Sequence, residues 1–238
     1  MERAYQLSRD PAYFLMAVFF ALLTTGLPAV MGQPRFLPLN QAVVLTIFVA
    51  IALRRGDIRS GLAIVYLWLG VSMALLMVLT WFVPEQMERA IDNGFMQRAM
   101  TSEWYFARSP LPAGITEEPL AGIVEIAGIL LGSLLTGGLV GAWFLMGMAN
   151  LAAFSAGHLL AIFGNPLLIF IALPIWSILE IIGAGGLVVV FAEPLLSGRF
   201  ALGSWFQRRK RLLALFGVIF GLGLLAEALL PAFWHFHS

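Results

Sequence analysis

"ALPIWSILEIIGAGGLVVV", residues 172–190, would read as a plain membrane-spanning helix but for one letter, Glu180 near its middle. The stretch lies inside a longer tract, residues 119–195, that contains no lysine or arginine. A bilayer crossing needs about 20 mostly apolar residues, so this tract could hold two or three crossings. Charge decides between them. The loop "RRGDIR" (54–59) and the cluster Arg208, Arg209, Lys210, Arg211 both belong on the cytoplasmic side by the positive-inside rule. The segment 84–118, with six acids and three arginines, suits the outside. An odd number of crossings must connect that outer segment to the inner cluster, and three fit the length at about 25 residues each.

Working outward, the sequence predicts helices at 13–31, 38–53, 61–83, 120–141, 142–163, 167–192 and 212–231. The fold class is therefore all-α: a polytopic integral membrane helical bundle of six to seven transmembrane helices, most simply seven, with its N-terminus cytoplasmic. Ten basic residues then lie inside and four outside. The first 30 residues resemble a signal peptide, with Arg3 and Arg9 ahead of an apolar run, and are counted here as a transmembrane helix. The second helix is short and carries Asn40, which suggests a tilted, half-buried or re-entrant piece. In domain terms, residues 1–60 form two N-terminal helices, 61–231 a five-helix bundle with an outer amphipathic loop at 84–118, and 232–238 a tail that holds His235 and His237.

Composition agrees. The chain of 238 residues is 61% hydrophobic and 11% charged, with a mean hydropathy of +0.92. A soluble domain carries about 25% charged residues. With no cysteine there are no disulfides, thiol nucleophiles or iron–sulfur clusters. A net charge of +1 offers no basic face for nucleic acid. The expected location is an integral membrane, with the bacterial inner (cytoplasmic) membrane as the specific expectation.

Four residues within the spans are unusual: Glu125, His158, Glu180 and Glu227. An intramembrane acid is costly and must face protein or water. Counted along their helices, Glu125, His158 and Glu227 fall in one outer layer, and Glu180 lies deeper. Such a line of carboxylates can pass protons or cations, bind a polar group, or tie helices together by hydrogen bonds. A lone histidine with no second ligand on a facing helix reads as structural, ahead of a pigment, haem or metal ligand. No metal or cofactor is expected. There is no phosphate-binding glycine loop, HExxH or nucleophile elbow, so the chain is read as non-enzymatic.

Small residues at four-residue spacing, Gly128 and Gly132, Gly137 and Gly141, Gly217 and Gly221, predict close helix packing. The "GAGG" run at 183–186 is read as tight packing near Glu180, ahead of local unwinding. In the outer segment Met87, Ile91 and Phe95 share a helical face, as an interfacial helix or a docking surface would require. Trp104, Tyr105 and Phe106 would anchor it at the headgroup level or dock a partner.

From residue 61 onward the layout resembles the stage II sporulation protein M family of multi-pass membrane proteins. The resemblance rests on the outer amphipathic loop, the helix pair "LLGSLLTGGLVGAWFLMGMANLAAFSAG", the proline-led acidic helix "LPIWSILEIIGAGGLVVV" and the closing "LLAEALLPAF". The family's usual His-Gly before the central acid is missing, with Trp176 and Ser177 nearest to it. The resemblance implies that Glu180 and Glu227 form a polar contact inside the bundle, and that the chain is a scaffold or accessory subunit of a larger membrane complex. Its partners would then be membrane lipids and other membrane-protein subunits. Two further readings stay open: the permease subunit of an export transporter, and a pigment- or quinone-contacting subunit of an energy-converting complex.

Overall fold

The computed structural model describes residues 10–107, 119–198, 202–231 and 234. Every regular element among them is helical. Seven helical stretches are long and apolar enough to cross a membrane: α1 (Pro11–Val30), α2 (Phe36–Arg54), α3 (Ile58–Phe82), the Pro119–Thr136 span, α8 (Leu139–Phe163), α10 (Ile175–Leu196) and α11 (Leu202–Leu229). The Pro119–Thr136 span consists of α6 (Pro119–Ala127), a π-helical turn (Gly128–Gly132) and α7 (Ser133–Thr136). Two surface helices, α4 (Pro84–Ala90) and α5 (Gly94–Ala107), follow α3, and a short α9 (Ile169–Ala172) precedes α10.

Local chemistry sets the boundaries. Asp10 accepts a bond from the Ala12 amide at 2.9 Å, ahead of Pro11 at the first helical position of α1. Asp57 starts α3 by accepting from both the amide and the hydroxyl of Ser60, at 3.0 and 2.7 Å. The fourth span ends at Thr136, not at the expected 141, because Gly137 and Gly138 both take positive φ (63° and 96°) and turn the chain into α8. The sixth begins at Ile175, not 167. Asn165 caps a 3₁₀ turn at Pro166–Leu168, and Pro174, which lacks an amide hydrogen, immediately precedes α10. The seventh begins at Leu202, ten residues earlier than expected, so the basic cluster rides on the helix itself. α2 is a full 19-residue helix, so neither a short nor a re-entrant piece.

α3 is the hub, packing against α1, α2, α8 and α10. Its Trp68, Ile64 and Leu76 are buried with Leu45 of α2 and Met146 and Phe154 of α8. α1 and α2 thus share one core with the rest of the bundle. α10 seats α11 chiefly through glycine: side chains at Gly183 or Gly186 would collide with Phe220 or Phe216 of α11. α10 is helical throughout this run, as the packing reading of "GAGG" requires.

Three expectations are corrected. Gly128, Gly132 and Gly141 do pack, against Phe144, Val140 and Ser133, but Gly137 is a turn residue lying against Leu196, and side chains at Gly217 and Gly221 would meet nothing within 4 Å among the described residues. The 84–107 segment is not one amphipathic helix. Ile91 is extended and Asn93 takes φ 52°, which buries Met87 and Ile91 but leaves Phe95 67% exposed. Trp104 and Tyr105 are buried inside the chain, so of the three expected anchors only Phe106 presents a large exposed surface. Arg3, Arg9, Arg108, Arg199, His235 and His237 lie outside the described residues.

Candidate functional site: an acidic cleft under a surface helix

α6, α8, α10 and α11 enclose, with α5 across one end, a cleft of about 420 Å³. α8 lines it from Trp143 to Leu159, about 24 Å of helix at 1.5 Å per residue, so the cleft runs through much of the bundle's depth. α6 stands off from the other spans, with no buried residue. Trp143 and Gly147 on the facing side of α8 are exposed, which leaves the cleft open beside α6.

Three carboxylates from three spans line this one space: Glu125 of α6, Glu180 of α10 and Glu227 of α11. Each is placed by a local device. The π-helical turn begins three residues after Glu125, and Phe144 of α8 packs where Gly128 has no side chain. π-Turns within α-helices occur often at functional sites. Glu180 is 7% exposed, and Gly223 of α11 lies against it so closely that a Cβ there would stand 2.6 Å from its Cγ. Its Oε1 is buried and has no hydrogen-bond partner among the described residues. An orphaned buried acceptor is rare in proteins and calls for a donor.

α5 lids one end. Gln97, Thr101 and Trp104, one helical face at spacings of four and three, line the cleft from above. The Thr101 hydroxyl donates to Ser155 at 3.3 Å, and Ser102 Oγ lies 2.8 Å from His158 Nε2. Trp104 stacks edge-on against Trp176, and Tyr105 packs against Phe163. Burial pushes the Tyr105 phenol above its ordinary pKa. Arg98 pairs with Glu88 at 2.5 Å, which fixes α5 to α4.

The four singled-out residues therefore divide. Glu125, Glu180 and Glu227 come together in the cleft. His158 does not line it; it ties α5 to α8 through Ser102. No three His, Cys, Asp or Glu side chains among the described residues stand close enough to hold one metal ion. Trp104, Trp143 and Trp176, by contrast, all line the cleft. Carboxylates in a largely apolar, aromatic-lined space suit an amine that carries hydrocarbon.

A second polar feature escaped the sequence reading. Asn150 donates to Gln41 Oε1 (2.7 Å), Gln41 donates to Thr25 Oγ1 (2.8 Å), and the Thr25 hydroxyl donates to Ser72 (3.1 Å). All four are buried, and the chain of bonds joins α8, α2, α1 and α3. The available signal was Gln41 beside Asn40, but the sequence pointed to Asn40, which is exposed.

These features define an all-α polytopic membrane bundle with an internal acidic cleft. Comparison with known protein families, with characterised proteins and with solved structures finds no match for this chain.

Proposed function

We propose that this chain is a permease-type membrane subunit that takes an organic cation into the cleft between α6 and α8. The carrying observation is the convergence of Glu125, Glu180 and Glu227, from three different spans, on one largely apolar space. Carboxylates that only tied helices together would be bonded to their neighbours, whereas Glu180 Oε1 has no such bond among the described residues. Trp143, the exposed tryptophan of the lining, supplies a ring for a cation, and the gap beside α6 supplies an entrance from the bilayer side.

Binding is tested in nanodiscs by titrating tetrapentylammonium and spermidine against tryptophan fluorescence. Saturable binding is expected. Glu180→Gln and Glu227→Gln should each weaken it at least about tenfold, since a charge-assisted bond contributes about 1.5–3 kcal/mol. The proposal fails if neither cation binds saturably, or if a Glu125→Gln, Glu180→Gln, Glu227→Gln triple variant binds as well as the parent.

A scaffold or accessory subunit is the second reading. It draws on the resemblance to the sporulation protein M family and on α11, where Gly217 and Gly221 meet nothing among the described residues and could receive a helix of another subunit. Stoichiometric co-purification of another membrane protein, lost on Gly217→Leu, would favour it.

A further inference from the structure

The opposite end of the bundle holds a cavity of different character. Where the α2–α3 loop meets the end of α10 and the first turns of α11, Arg54, Arg55, Arg208 and Arg209 surround a space of about 270 Å³, with Glu193 and Ser197 on its wall. Gly56, at φ 74°, turns the loop that presents two of these arginines. Glu193 is the one acid in the lining, and Arg209 satisfies it. The guanidinium donates through Nε to one carboxylate oxygen at 2.7 Å and through Nη2 to the other at 2.6 Å. Asp57, the other acid of this loop, is engaged with Ser60 as the cap of α3. Among the described residues, the lining therefore adds the guanidinium groups of Arg54 and Arg208 beside a carboxylate that Arg209 already pairs.

We propose that this arginine cavity is a binding site for a phosphate group. Guanidinium forks match phosphate oxygens in two-point bonds, and basic pockets between transmembrane helices on the cytoplasmic side are built to take phospholipid headgroups. This is the end that the positive-inside rule assigns to the cytoplasm. Leu53 completes the wall, and the cavity sits at the helix ends, where a headgroup would lie. The source of the phosphate is either an anionic lipid or a free phosphate ion. The Glu193–Arg209 pair holds α10 to α11, so an anion here bridges that pair of helices to the α2–α3 loop.

The full chain is placed in nanodiscs of phosphatidylcholine alone, or with one-fifth phosphatidylglycerol, and its thermal unfolding midpoint is followed. Phosphatidylglycerol should raise the midpoint by about 5 °C, the size expected for a ligand well above its dissociation constant. The Arg54→Gln, Arg208→Gln variant changes two exposed side chains and keeps the Glu193–Arg209 pair, and it should lose most of that rise. Lys210→Gln, Arg211→Gln removes the same charge outside the cavity and should keep it. A rise with millimolar inorganic phosphate in phosphatidylcholine discs would assign the site to a free ion; a rise with phosphatidylglycerol alone assigns it to a headgroup. The proposal is overturned if neither stabilises the protein, or if the two double variants lose the effect equally.

Discussion

Single glycines and single amides carry much of this structure, and neighbours in sequence have opposite roles. Gly183 meets the backbone of Phe220, so Gly183→Ala forces α11 away from α10. Overpacking of this kind costs about 1–3 kcal/mol. Gly217→Ala places its methyl in open space and gains up to about 1 kcal/mol of helix propensity. Thermal unfolding in detergent should therefore move down for the first and stay level or rise for the second. Gln41 and Asn40 make a second such pair. Gln41→Leu strips partners from Thr25 and Asn150 and should cost about 1–2 kcal/mol, near the upper range for buried hydrogen bonds between membrane helices. Asn40→Leu should change stability by less than about 0.5 kcal/mol. Equal effects within either pair would contradict the packing described. The three acids of the cleft were legible in the sequence because an acid in an apolar run always demands an explanation. The choice between Asn40 and Gln41 was not, since adjacent helical residues differ by about 100° in direction, and only the packed neighbours say which one faces inward.

At the scale of the element, α5 is the least expected part. Its composition suggested an interfacial helix on the membrane or a docking surface, yet it folds back on its own bundle. The break at Ile91–Asn93 makes this possible by reversing the chain after α4, with Gly94 lying against the Glu88 backbone, where a side chain would collide. Among the described residues, two hydroxyl contacts and three aromatic contacts then hold α5 over the cleft. Thr101→Ala with Ser102→Ala should loosen this lid without touching the core. Amide hydrogen exchange across 94–107 should quicken severalfold while α3 stays protected, because local opening depends on the contacts that fasten the element. Unchanged exchange would show that the two hydroxyl contacts do not fasten it. Two of the span-boundary errors have one cause in common. Turns at Gly137–Gly138 and at Pro166–Pro174 lie within apolar sequence, where hydropathy is blind to backbone geometry.

Across the whole molecule, two cavities of opposite charge lie at opposite ends of one bundle, the acidic cleft below α5 and the arginine cavity at the α2–α3 loop. This polarity gives a direct test of orientation, since the chain has no cysteine. With a membrane-impermeant maleimide, Met96→Cys on α5 should react from outside, and Gly203→Cys at the start of α11 only after the cytoplasmic face is opened; both sites are exposed. The reverse pattern would invert the assignment of both cavities. The number of spans, their rough positions and the charge difference between the ends follow from the sequence alone, because hydrocarbon excludes unpaired backbone and charge, and so forces apolar helices with basic inner loops. Which acids share a cleft, which glycines touch a neighbour and where α5 lies were decided by tertiary structure. In a chain apolar on nearly every face, hydrophobicity no longer distinguishes inside from outside. The inner faces are chosen instead by shape and by the few polar groups that find each other.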